Sequence, residues 1–70
     1  MTMKSSSAVA RGKKFQEARE RLHLTQQEVA DKVDLNVSHY AKIERGEIPK
    51  TAYENIENIR KALKLKPNDL

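Results

Sequence analysis

The sequence predicts an all-α fold, a compact bundle of four to five short helices. Hydrophobic residues make up 37% of the chain and mostly recur at helical spacing. Aromatic residues are only 4% and β-branched residues are scattered, which disfavours a β-barrel. A chain of 70 residues allows one small domain, whose core supplies about 3–5 kcal/mol of net stability. No cysteine is present, so neither a disulfide nor a thiolate metal site adds to it.

The N-terminal segment lacks periodicity over residues 1–7, which predicts a flexible tail before a domain that covers residues 8–70. The first helix is predicted from Ala8 to Leu22. Gly12 lies inside it at a cost of about 1 kcal/mol relative to alanine, which indicates close packing at that point. The predicted buried face contains Val9, Phe15, Ala18 and Leu22.

The next two helices are short and each begins at a recognisable cap. Thr25-Gln26-Gln27-Glu28 has the pattern of a capping box and predicts a second helix over about 26–33. Asp34-Leu35-Asn36 interrupts the pattern. Asn36 is a good N-cap for a third helix over about 37–45, and Gly46 is a suitable C-terminal residue.

A second capping box, Thr51-x-x-Glu54, predicts that a fourth helix opens at Ala52. Pro67 suits the first turn of a fifth helix, which Leu70 leaves incomplete. The predicted buried face of the fourth helix contains Tyr53, Ile56, Ile59 and Leu63.

Charge is unevenly distributed along the chain. The net charge is +4, and residues 1–24 account for it, with six Lys or Arg against two Glu. A localised basic excess on a small domain favours nucleic acid as a partner, although a solubilising tail has the same composition. The longest apolar run, Ala8-Val9-Ala10, is far too short for a membrane span.

The sequence gives no sign of an enzyme, a cofactor site or a small-molecule site. It contains no nucleophile motif and no phosphate-binding loop. His23 and His39 are isolated and lack the spacing of metal ligands, so no metal is expected.

Two short helices joined by three or four residues form a helix-turn-helix pattern. The segments Leu24 to Val33 and Leu35 to Gly46 resemble the lambda-repressor-like, Cro/cI-type helix-turn-helix family. The resemblance rests on three features: the Leu-Thr-Gln opening, Ala30 and the Ile-Glu-Arg-Gly ending. It extends over about residues 8–70. It implies DNA binding by the third helix of a homodimer.

The sequence departs from that family at four places. Asp34 and His23 occupy positions where the family commonly has glycine, so both are expected to adopt a left-handed backbone. The connector before the fourth helix is one residue longer than usual. The fifth helix, which often carries dimer contacts in the family, is reduced to Pro67-Asn68-Asp69-Leu70.

The outward face of the third helix follows from its buried face. With Tyr40 and Ile43 inside, the outward positions are Val37, Ser38, Ala41, Lys42 and Arg45. The resemblance implies that Val37, Ser38, Ala41 and Lys42 lie where bases are read. Lys42 can donate to guanine, and Val37 can pack on a thymine methyl group. An ordinary solvated face is the alternative.

Phosphate contacts are expected beside this face, although each cation alone is more often simply solvated. Gln26, at the start of the second helix, suits a phosphate near helix-terminal amides. The resemblance also implies a structural ion pair between Arg19 and Glu44. The full set of candidate phosphate contacts is Gln26, Asn36, Lys13, Lys14, Arg11, Lys50 and Arg45.

The sequence therefore predicts a double-stranded DNA-binding transcriptional regulator, a repressor, that reads the major groove as a homodimer. It predicts no cofactor, no membrane contact and a cytoplasmic location with bacterial or phage DNA. The alternative is a protein-interaction module of the same fold, an antitoxin or transcriptional adaptor, that does not read bases.

Overall fold

The computed structural model describes residues 6–48 and 50–66. They form four helices and no strand: α1 (Ser6–Arg21), α2 (Gln26–Lys32), α3 (Val37–Glu44) and α4 (Tyr53–Ala62). Helix α1 packs against α3, while α2 packs against both α3 and α4. The all-α prediction is confirmed. The predicted fifth helix at Pro67 lies outside the described residues, as does most of the predicted N-terminal tail.

The core lies where the four helices meet. Its largest fully buried side chains are Tyr40, Phe15, Ile43 and Ile59. Half-buried leucines and Ile48 close its edges. Since apolar burial is the dominant stabilising term, this core holds the two short helices, which would not be stable alone. The buried cluster consists of Phe15, Ala18, Val29, Ala30, Val33, Tyr40, Ile43, Ile56, Ile59 and Leu63.

Two predicted core residues are exposed. Val9 is 39% exposed, and Ala8, at 1%, takes the buried position. Ala8 lies seven residues before Phe15, so the two share one face of the helix, and Val9 lies outside that face. Tyr53 is 77% exposed. It is the first residue of α4, and helical side chains lean toward the N-terminus, so its ring extends beyond the packed region.

Helix beginnings agree with the sequence at α2 and α3 but not at α1 and α4. Helix α1 begins at Ser6, two residues earlier than predicted, so residues 6–7 are helical and not part of a tail. Helix α4 has Ala52 as its N-cap and no side-chain capping bond. The predicted capping box at Thr51 is wrong, because the N-cap position is taken by Ala52, whose side chain has no acceptor. The Thr51 hydroxyl takes part in a local turn, where it donates to the Ile48 carbonyl at 3.0 Å.

Each of the four helices is followed, two positions after its last residue, by a residue with a left-handed backbone. That residue is glycine only at Gly46; the other three are His23, Asp34 and Lys64, each with φ 59°. The expected left-handed conformations of His23 and Asp34 are confirmed. In each case the following amide donates back across the last turn, as Leu24 does to the Arg19 carbonyl at 3.0 Å. This is the Schellman ending, which satisfies carbonyls that the helix itself leaves unpaired.

The His23→Gly variant is expected to be more stable than the wild type by about 1 kcal/mol, because a left-handed backbone is costly for residues other than glycine. Urea denaturation followed by circular dichroism measures the change. Lys13→Gly, at an exposed helical position, is the control and should lose about 1 kcal/mol. A destabilised His23→Gly variant would contradict the argument.

The ends of α1 and α4 share a further device. Arg19 Nη1 donates to the Leu24 carbonyl at 2.9 Å, and Arg60 Nη1 donates to the Leu65 carbonyl at 2.8 Å. The pattern Arg-x-x-Leu-x-Leu begins at Arg19 and again at Arg60. Each arginine therefore fastens the chain that leaves its own helix.

Candidate nucleic-acid interface

Helices α2 and α3 and the residues between them form the unit that carries the predicted site. The capping box at Thr25 is confirmed: its side chain accepts from the Glu28 amide and the Glu28 side chain accepts from the Thr25 amide. The Asn36 side chain accepts from the Ser38 amide at 2.7 Å, so the predicted N-cap of α3 is also confirmed. Capping at both starts satisfies first-turn amides and sets the residue at which each short helix begins.

Burial fixes which side of α3 faces outward. Tyr40, Ile43 and Glu44 are buried. Ser38 and Lys42, four residues apart on the helix, are exposed. Val37 and Ala41 flank them and are half-buried, and Val37 also packs against the edge of the core. Few side-chain atoms therefore protrude beside Ser38 and Lys42. This flat face allows another surface to approach closely.

A carboxylate in the interior joins three helices. Glu44 is only 6% exposed. Arg19 Nε donates to its Oε2 at 2.7 Å, and Arg19 Nη2 donates to its Oε1 at 3.3 Å. The pair that the resemblance implied is thus present between α1 and α3. The hydrogen bond to Glu44 raises the pKa of Arg19, while burial opposes that rise.

Gln26 contributes to the same network, which the sequence did not predict. Its Nε2 donates to Glu44 Oε1 at 3.0 Å, and the residue is half-buried. The amide nitrogen carries two protons, so this bond leaves one for an outside acceptor. A long polar residue directly after an N-cap is only a weak sequence signal for a hydrogen bond to a buried carboxylate.

Tyr40 lies beside this network. Burial raises the pKa of its hydroxyl, and the nearby Glu44 carboxylate raises it further. Its Oη makes no hydrogen bond within the part of the chain that the structure describes. The hydroxyl therefore stays protonated and acts as packing, not as a titrating group.

The predicted phosphate contacts differ in their surroundings. Lys13 and Lys14 on α1 and Lys50 in the connector are exposed. Arg45 is exposed, but its Nε donates to Glu47 Oε2 at 2.6 Å, and this bond raises the pKa of Arg45. An anion that binds Arg45 must therefore compete with Glu47.

Arg11 and Asn36 are the remaining candidates. Arg11 is half-buried, and among the described residues its Nε and Nη2 are buried without a hydrogen-bond partner. Buried, unpartnered donors are costly. Asn36 is exposed. Its oxygen caps α3, and its NH2 group can donate elsewhere.

Among residues 6–48 and 50–66, no group of three or more His, Cys, Asp or Glu side chains is placed to hold a metal ion. Within the same residues no helix has the length and apolarity to cross a membrane.

One comparison with known proteins gives a match. The family model described as Helix-turn-helix matches residues 15–70, which include α2, α3 and α4. No curated protein and no solved structure matches the chain.

Proposed function

Because this chain belongs to the Cro/C1-type helix-turn-helix family of DNA-binding regulators, we propose that it is a sequence-specific repressor that reads duplex DNA with α3. The observation that carries the proposal is the outward face of α3. Ser38 and Lys42 are exposed there, between the less exposed Val37 and Ala41. Small neighbours allow the helix to enter the major groove.

Each residue of this face has a proposed role. Lys42 donates to O6 and N7 of a guanine, the acceptors that guanine presents in the major groove. Val37 packs on a thymine methyl group, and Ser38 bonds a base edge from the first turn of the helix. Ala41 lets the DNA approach closely. First-turn residues of recognition helices are those that usually reach base edges.

Phosphate contacts hold this face in register. Gln26 and Asn36 stand at the starts of α2 and α3, where backbone amides favour an anion. The exposed cations extend the contact along both strands and supply the affinity that does not depend on sequence. The proposed set is Gln26, Asn36, Lys13, Lys14, Arg11, Lys50 and Arg45.

Lys42→Ala is expected to lose about 1–3 kcal/mol of binding free energy on the preferred duplex and much less on random DNA. Selection from a random DNA pool gives the preferred site, and fluorescence anisotropy measures both affinities. Lys14→Ala should weaken both duplexes alike and flatten the salt dependence, since phosphates carry no sequence information. Lys61→Ala on α4 is the control that should change neither.

Equal losses on both duplexes for Lys42→Ala would show that α3 does not read bases. Absence of any DNA retention at low salt would instead favour the alternative, an interaction module of the same fold.

A homodimer is the proposed binding form. Ile48 and Leu65 are only partly covered by the core, and Leu70 lies outside the described residues. Ile48 and Leu65 each offer a small apolar surface, beside one end of α4, for a weak two-fold contact. Sedimentation is expected to show a weak monomer–dimer equilibrium, and two protomers on each palindromic duplex. One protomer on each site, with a strict monomer in solution, would contradict the dimer.

A further inference from the structure

A groove lies between α2 and α4, away from the face of α3. Two adjoining hollows, of about 610 Å³ and 200 Å³, share Lys32 and Ala62 in their walls. We call their union the α2–α4 groove. No residue of α3 lines it, so DNA on that helix leaves the groove open.

Four of the nine described residues that line the α2–α4 groove are apolar and form its floor, and Asn58 adds an uncharged polar group to the lining. Val33 and Ala62 contribute from α2 and α4, and the half-buried Leu22 and Leu24 contribute from the end of α1. Both leucines and Ala62 pack against the edge of the core, so the floor is part of the folded framework and is already formed.

The rim of the groove is basic. Lys32, Lys61 and Lys64 are exposed around it, and among the described residues of the lining Asp34 is the single carboxylate. No ion pair within the described residues engages any of the three lysines. Glu57 on α4 accepts a hydrogen bond from Arg60 at 2.7 Å. This bond lowers the pKa of Glu57, and the charge of Lys61 lowers it further.

We propose that the α2–α4 groove binds an acidic, amphipathic helix of a partner protein. Apolar side chains of that helix enter the floor, and its Asp or Glu residues face the three lysines. Helices in grooves are bound through anchors at spacings of three and four residues, and complementary charge directs their encounter. A nucleic-acid backbone matches the rim but offers nothing to the floor, so a peptide is the better fit.

A display library of random 16-residue peptides, selected on the full chain, tests the proposal. Selected peptides are expected to carry Asp or Glu beside apolar residues at helical spacing. Their dissociation constants, measured by fluorescence polarisation, should rise at least tenfold for the Lys61→Glu/Lys64→Glu double variant. Ala62→Gln should raise them similarly without changing charge. The Lys13→Glu/Lys14→Glu double variant, with the same charge change on α1, should raise them less than twofold.

Several results would overturn the proposal. One is a selection without enrichment, and another is a set of peptides that bind both double variants equally. A loss of random-duplex binding by the groove variant that exceeds the loss by the Lys13→Glu/Lys14→Glu variant would assign the groove to nucleic acid. Self-association that this variant abolishes would assign it to a second copy of the chain. Since the peptide assay contains no DNA, its failure leaves the proposed repressor function standing.

Discussion

Glu44→Ala is expected to unfold most of the protein at room temperature. The variant leaves the Arg19 guanidinium largely buried without the carboxylate that it bonds at 2.7 Å, and Gln26 also loses its acceptor. Removal of one partner from a buried pair costs about 3–5 kcal/mol. A domain of this size has about that much stability in total. Urea denaturation followed by circular dichroism measures the loss.

Two further variants test whether the loss of stability in Glu44→Ala comes from the unpaired, buried charge of Arg19. Glu47→Gln breaks the exposed pair with Arg45 and should cost about 1 kcal/mol or less, as exposed pairs usually do. The Arg19→Met/Glu44→Leu double variant should recover most of the stability, because an apolar pair of similar volume avoids the buried charge. If Glu44→Ala is no less stable than Glu47→Gln, the network does not hold the helices together.

Gly12→Ala is expected to destabilise the domain by about 2–3 kcal/mol, even though alanine favours helix by about 1 kcal/mol. A Cβ atom at Gly12 would overlap the Glu44 carbonyl oxygen and lie 2.6 Å from the Ile43 carbonyl oxygen. Both obstacles are backbone atoms at the end of α3, so no side-chain rotation relieves the overlap. Helix α1 would have to move away from α3.

Thermal and urea denaturation measure the effect of Gly12→Ala. Lys13→Ala, one residue along the same helix and exposed, is the matched control and should stay within about 0.5 kcal/mol of the wild type. A Gly12→Ala variant that gains stability would show that α1 and α3 are less closely packed than the structure has them.

The helix-turn-helix unit could be read from the sequence because its signals are local. The capping box at Thr25, the cap at Asn36 and the ending at Gly46 each act within a few residues. The close packing at Gly12 could also be inferred, since an interior glycine is costly unless another backbone approaches. The pairing of Arg19 with Glu44 came from the family resemblance.

Other features depended on tertiary structure. Thr51 has the spacing of a cap, but the fold directs its hydroxyl to the Ile48 carbonyl. Val9 and Tyr53 have the helical spacing of buried residues, but both are exposed. Which residues of a helix are buried depends on where the neighbouring helix ends. The bond from Gln26 to Glu44 joins residues that lie far apart in sequence, so no local pattern reports it. Lys64 and His23 occupy the same position in the two Arg-x-x-Leu-x-Leu segments. This shared pattern could have predicted the left-handed backbone of Lys64.

The Glu44 network also bears on the thermodynamics of recognition. It links α1, α2 and α3 through one carboxylate, so the two short helices cannot separate without exposing a buried charge. The conformational entropy of arranging them is therefore lost during folding and not during association. A binder organised in advance keeps more of its contact energy as affinity. For the proposed recognition of DNA by α3, we therefore expect discrimination between sequences to come from the contacts themselves, with little contribution from ordering of the protein.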